Sequence, residues 1–208
     1  MDLDIIILYA LAILGPVMIF LTHYVAKGRS RDMTRLWFIT FIAFIVYYWL
    51  AVSNYIVDPR GIVYGYALLW PIAAILGFWL VEKLTAKESS PIPFFRYMVY
   101  FLVAVVFAFV LDGLGGLMKW YTYNPAVLDK TSIINPISGL QMPAIMPFLM
   151  GIVMIGVFLL NFSLHKILRN RRIDETSATL LLSALAVVMS GLIWGVTELI
   201  VSVVRSLT

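Results

Sequence analysis

The chain has 208 residues, 62% of them hydrophobic and only 12% charged, with a formal net charge of +4. A soluble domain carries about 25% charged and 45–50% apolar residues, so a water-soluble fold of this size would be left with apolar surface that it cannot bury. The basic residues stand in short tracts beside apolar runs, where they bind the lipid surface and set orientation, so no nucleic-acid partner is expected.

Lipid is therefore the expected solvent, and the chain is expected to be one all-α domain over 1–208, a polytopic membrane helical bundle. A helix needs about 20 apolar residues to span the hydrocarbon core. Six segments qualify: 5–25, 36–56, 62–84, 94–118, 142–165 and 177–203. The runs are long and continuously apolar, unlike the short alternating segments of a lipid-facing barrel. The first follows Asp2 and Asp4 where a signal peptide would carry basic residues, so it is read as a retained helix.

The connections alternate in charge. The first holds Lys27, Arg29, Arg31 and Arg35, the third Lys83, Lys87 and Arg96, and the fifth Lys166, Arg169, Arg171 and Arg172. These are eleven of the 15 basic residues, and the opposite side has only Arg60, Lys119, Lys130 and Arg205. Lys and Arg concentrate on the cytoplasmic side, which puts the chain in the cell membrane with both termini external. Most connections are short. The exception, about 119–141, is rich in aromatics, Asn, Pro and Gly, and is read either as a folded functional loop or as an interfacial anchor.

A weak repeat runs through the chain. Tyr55-Ile-Val-Asp58-Pro59 closes the second segment, and Trp70-Pro71-Ile-Ala-Ala opens the next. Tyr121-Thr-Tyr-Asn124-Pro125 closes the fourth, and Met142-Pro143-Ala-Ile-Met opens the fifth. Proline in a first helical turn is unremarkable, because its missing N–H has no partner there anyway. The shared closing pattern is less common, and repeated halves often place a site at their interface.

This pattern resembles the membrane lycopene cyclase family of bacteria and archaea, the heterodimeric type and its fused relatives. The resemblance rests on Asp112, Tyr121-Thr-Tyr123-Asn124-Pro125, Gly139 and Pro143 in one half, and on Gly65, Leu69, Pro71-Ile-Ala-Ala and Phe78 in the other, over roughly residues 45–160. It implies an isoprenoid or carotenoid ligand. In that family two acids follow the helix-opening proline, protonate the polyene and steady the resulting cation. Here Ala73 and Ala74 stand in one half and Ile145 and Met146 in the other, so the resemblance implies the fold and the ligand class without the family's cyclase activity.

An ionisable group within the membrane is a functional candidate by default, since its burial costs about 2.5–3.5 kcal/mol or more. Asp112 lies sixteen residues past Arg96, about 24 Å along the helix, and Glu198 reaches a similar level in the last segment. On the functional reading these two form a catalytic acid/base pair, with Trp120, Tyr121, Tyr123, Asn124 and Trp194 as substrate-binding residues. On the structural reading each acid pairs with Lys119, Arg205 or a helix N-terminus. His23 and His165 fall at helix ends among basic residues, and no cysteine is present, so neither a metal nor a cofactor is expected. Gly113, Gly115, Gly116, Gly191 and Gly195 suggest close helix packing. Met142, Met146, Met150 and Met154 form one face of the fifth segment, as core or as a seam for a membrane-protein partner or a second copy. A non-catalytic subunit of a larger membrane complex is therefore the alternative function. The charge asymmetry gives a direct expectation. Asn170→Cys should resist an impermeant maleimide in intact cells and Ser206→Cys should react, and the reverse pattern would invert the topology.

Overall fold

The computed structural model describes residues 30–57, 63–85, 93–125, 128 and 132–207, together with positions 6, 10, 13 and 17. The first expected helix and His23 therefore lie almost wholly outside the described residues. Helix α1 spans Ser30–Asn54 and leads into strand β1, Ile56–Val57. A single turn, α2 (Val63–Tyr66), precedes α3 (Trp70–Thr85) and α4 (Pro93–Leu117). Strands β2 (Thr122–Tyr123), β3 (Ser132–Ile134) and β4 (Gln141–Pro143) follow. Helix α5 (Ile145–Phe158) continues through a π-helical stretch, Leu159–Leu164, into α6 (His165–Asn170). Helix α7 covers Glu175–Leu207.

Among the described residues, four stretches are long and apolar enough to cross a membrane: Arg31–Val52, Phe94–Leu117, Ile145–Asn170 and Glu175–Leu199. The expected helix over 62–84 is divided instead. The chain turns at 67–69, and Pro71 sits in the first turn of α3, where its lack of an N–H leaves no bond unmade. Its remaining helix of 16 residues measures about 24 Å. The fifth segment begins three residues later than expected, because Gln141–Pro143 is drawn into pairing with β3.

Helices α1, α3, α4 and the α5–α6 rod form a ring. Each packs on the next, α5 closes back on α1, and α7 lies against α1 and α5. The centre is aromatic. Trp70 stacks on Phe44 at 4.0 Å between ring centroids and donates Nε1–H to the Tyr48 hydroxyl at 2.9 Å. Met142, Met146, Met150 and Met154 are all buried here, and the Tyr47 hydroxyl reaches Met146 Sδ at 3.2 Å. The methionine face is thus core and offers no seam to a partner. Outward, Met98, Leu102, Val106, Val110 and Leu114 on α4, and Leu180, Val188, Leu192, Val196 and Leu199 on α7, are exposed, as helices surrounded by lipid require.

Both ends are tied by polar groups. At the basic end Arg35 is buried five residues into α1. Its Nε donates to Asn161 Oδ1 and one Nη to Asp32 Oδ1, both at 2.8 Å. The other Nη meets Glu175 Oε1 and lies 2.9 Å from His165 Nε2, which is itself 3.0 Å from Glu175 Oε2. One guanidinium so fastens α1, the π-helical stretch, α6 and the start of α7. The π turn carries Asn161 to the guanidinium, a use for which such insertions are known. At the opposite end β1 pairs antiparallel with β2, Ile56 with Tyr123 and Val57 with Thr122, which joins the ends of α1 and α4.

Arg35→Met is expected to lower the unfolding free energy by about 3–5 kcal/mol, the usual cost of removing one member of a buried ionic cluster. Glu175→Gln, at a side chain left 41% exposed, should cost about 1 kcal/mol or less. Thermal melts in detergent followed by circular dichroism distinguish the two, and equal losses would mean that Arg35 is held by something other than this cluster.

Candidate functional site

The end of the ring opposite Arg35 is built by the way α4 stops. Lys119 takes a positive φ of 53°, and two reversed bonds follow, Lys119 N–H to the Gly116 carbonyl at 3.2 Å and Trp120 N–H to the Gly115 carbonyl at 2.9 Å. This is a Schellman ending with lysine in the position usually taken by glycine. It turns the chain back over the helix that it has left. Trp120, Tyr121 and Tyr123 are consequently buried.

Asp112, 7% exposed on α4, receives both phenols. Tyr121 donates to Oδ1, and Tyr123 donates to Oδ2 at 2.9 Å. Burial, and after it the charge of Asp112, pushes both phenols well above their ordinary range, so they remain protonated donors. Each carboxylate oxygen therefore accepts one strong hydrogen bond from a phenol. The structural expectation named Lys119, Arg205 or a helix N-terminus for such an acid, and the hydrogen bonds described to Asp112 come from two tyrosines.

The loop from 132 to 143 covers the other side. Asn135 is buried and carries three tasks. Its Nδ2 donates to the Phe109 carbonyl at 3.0 Å, and its Oδ1 accepts from Ile137 N–H at 2.9 Å and from Ser138 N–H at 3.3 Å. The glycines after Asp112 make this docking feasible. A Cβ on Gly113 would meet Ile137 and Asn135, on Gly115 the Tyr121 ring and the Tyr66 hydroxyl, and on Gly116 Leu140 and Ser138. Between the loop and α4 remains a cavity of about 390 Å³, with Asp112, Tyr121 and Tyr123 beside the apolar Leu128, Leu140 and Met142.

Of the expected site residues, Asp112, Tyr121 and Tyr123 thus meet in one place. The others do not line this cavity. Trp120 packs against Tyr66 at 5.9 Å, and its Nε1–H has no hydrogen-bond partner among the described residues. Asn124 serves through its backbone, donating N–H to the Tyr55 carbonyl at 2.8 Å. Trp194 on α7 sits edge-on between Tyr47 and Tyr55, at 5.7 and 5.1 Å. Glu198, one turn further along α7, is half-buried with Oε1 unpartnered among the described residues. No contact joins it to Asp112 among those residues. Asn135 was not singled out from the sequence, although Asn135-Pro136 repeats the dipeptide of Asn124-Pro125.

Comparison with family models, curated proteins and solved structures finds no match.

The packing at the glycines can be tested. Gly115→Ala should destabilise the protein by about 1–3 kcal/mol through overpacking against Tyr121 and Tyr66. Gly191→Ala, where an added Cβ meets nothing within 4 Å, should raise stability slightly through helix propensity. Melting temperatures of the two variants in one detergent give the comparison, and a neutral Gly115→Ala would show that the loop does not rest on α4 there.

Proposed function

We propose that the chain is a multi-pass membrane protein that binds the end of an isoprenoid or carotenoid in the cavity at Asp112, without cyclising it. The carrying observation is Asp112 with both oxygens taken up by the Tyr121 and Tyr123 hydroxyls in a largely apolar cavity. Protonating a polyene requires a carboxyl hydrogen free to point at the double bond. A carboxylate receiving two phenolic hydrogens is arranged as an acceptor. Such a group orients a ligand that carries a hydroxyl, or steadies partial positive charge, while Leu128, Leu140 and Met142 accommodate hydrocarbon. The cavity volume suits an end group and not a whole long polyene.

The relation to the lycopene cyclase family is part of this proposal, as are six membrane crossings, a duplicated half and a cytoplasmic basic end. The β1–β2 pairing supports the duplication. Ile56 and Val57 in one closing motif correspond to Thr122 and Tyr123 in the other, and the observed register crosses them symmetrically. The ring supports it too, because α1 packs on α3 as α4 packs on α5, and α4 on α3 as α1 on α5.

Purification in mild detergent, solvent extraction and mass spectrometry test the reading. A bound isoprenoid is expected, with Asp112→Asn and Tyr121→Phe retaining about fivefold less, equivalent to about 1 kcal/mol. Lycopene added to the protein should quench tryptophan fluorescence and be recovered uncyclised. Recovery of a ring-closed product would restore catalysis to the site. A monomer that neither carries an isoprenoid nor binds lycopene would overturn the proposal, and co-purifying subunits in its place would favour a structural role in a complex.

A further inference from the structure

The hairpin of β3 and β4 rests on a particular side of α4. Leu102, Val106, Phe109, Gly113 and Gly116 follow one another by alternating steps of four and three residues, which places them on one face of that helix. Leu102 and Val106 are exposed, on the surface that lipid surrounds. Gly113, further along the same face, is buried because the hairpin tip lies over it. A Cβ on Gly113 would meet Ile137 and Asn135, and a Cβ on Gly116 would meet Leu140 and Ser138. Asn135 Nδ2 reaches down to the Phe109 carbonyl at 3.0 Å. The tip is therefore outside the ring, beside α4 and not on top of it. Its level follows from the helix rise. Phe109 and Gly116 lie about 20 and 30 Å along α4 from the exposed Arg96, and the hydrocarbon core is about 30 Å thick.

Two features of the tip fit that level. Every exposed residue from Ile134 to Leu140 is apolar, namely Ile134, Pro136, Ile137, Gly139 and Leu140, while Asn135 is buried and Ser138 half-buried. Irregular backbone is kept out of hydrocarbon because hydrogen bonds left unmade there are costly. Here the backbone donors are filled. Asn135 N–H donates to the Leu140 carbonyl and Gly139 N–H to the Asn135 carbonyl, both at 2.9 Å. Ile137 and Ser138 N–H donate to Asn135 Oδ1 at 2.9 and 3.3 Å, and Leu140 N–H donates to Ser138 Oγ at 3.4 Å. Pro136 has no N–H to fill. A loop in water has no need of this, since water fills its donors.

We propose that residues 134–140 are a lipid-inserted tip, with Ile134, Ile137 and Leu140 among the acyl chains at the end of the membrane opposite Arg35. The exposed apolar face of α4 continues across the tip, so both meet the same hydrocarbon. This holds whether or not an isoprenoid occupies the Asp112 cavity.

The chain has no cysteine, so Ile134→Cys, Ile137→Cys, Leu114→Cys and Asn170→Cys can each carry a single nitroxide. The full-length protein is placed in vesicles of dioleoyl phosphatidylcholine. Power-saturation electron paramagnetic resonance then compares collisions with oxygen, which concentrates in hydrocarbon, and with nickel ethylenediaminediacetate, which stays in water. Labels at Ile134→Cys and Ile137→Cys should meet the nickel chelate at least about tenfold less often than the label at Asn170→Cys, because a polar complex enters hydrocarbon poorly. They should meet oxygen as often as the label at Leu114→Cys on the lipid-facing side of α4. Ile134 is 68% exposed, so its label disturbs no packing even if the one at Ile137→Cys does, and circular dichroism checks both folds. Chelate contact equal to that of Asn170→Cys would place the tip in water and overturn the proposal. Exclusion of both reagents would overturn it too, by showing that a second copy or another protein covers the tip.

Discussion

Hydrocarbon supplies no hydrogen bonds. A polar group placed within it must find its partner inside the protein or move to an end where water and headgroups begin. In this chain the middle of the ring obeys that rule locally. Thr40 bonds to the carbonyl of Leu36, Thr197 to that of Ile193, and Ser190 crosses from α7 to the carbonyl of Ala43. Trp70 and Tyr48 satisfy each other. Among the described residues, the other buried polar side chains collect at the two ends, around Arg35 and around Asp112. The helices are held in register by these two knots, and each knot borders a cavity.

The ends differ in kind. At the basic end a guanidinium gathers acceptors from helices far apart in sequence, and replacing it with an apolar residue would strand Asp32, Asn161 and Glu175 together. At the other end the acid is fixed by the segment that directly follows its own helix. The Schellman turn at Lys119 brings Tyr121 and Tyr123 back over Asp112, nine and eleven residues after it. The first arrangement depends on the assembled bundle. The second is local, and its precision rests on the glycines that let the returning chain lie close.

That difference governs what could be read from the sequence. Asp112 was legible because a lone acid in an apolar run stands out, and Tyr121 and Tyr123 because they follow it closely in a segment rich in turn residues. The helical character was legible from the length of the runs. Glu198 showed the same signal as Asp112, but depth along a helix does not fix which neighbours a side chain meets, and Glu198 is not among the residues that line the Asp112 cavity. Arg35 was read only as an orientation charge, since its partners Asn161, His165 and Glu175 lie at least 126 positions away. The π-helical stretch leaves no mark in composition, because it changes hydrogen-bond register and not residue type. Gly113, Gly115 and Gly116 were read as sites of helix packing, and instead they receive the chain's own returning segment and loop.

On the proposed kinship, the positions that lack acids explain why the site lies where it does. Ala73, Ala74 and Met146 are fully buried in the centre of the ring, where Trp70 stacks on Phe44 and Tyr47 reaches the Met146 sulfur. A pair of carboxylates there would need either a polar cavity or a cation, and the packed aromatics leave neither. Apolar side chains fill that centre instead, and an empty apolar space there would cost packing energy. The acid of this site lies outside that centre. Asp112 is held by two phenols on the segment that directly follows its own helix, so its hydrogen bonds are made close to it in sequence and not across the ring's centre.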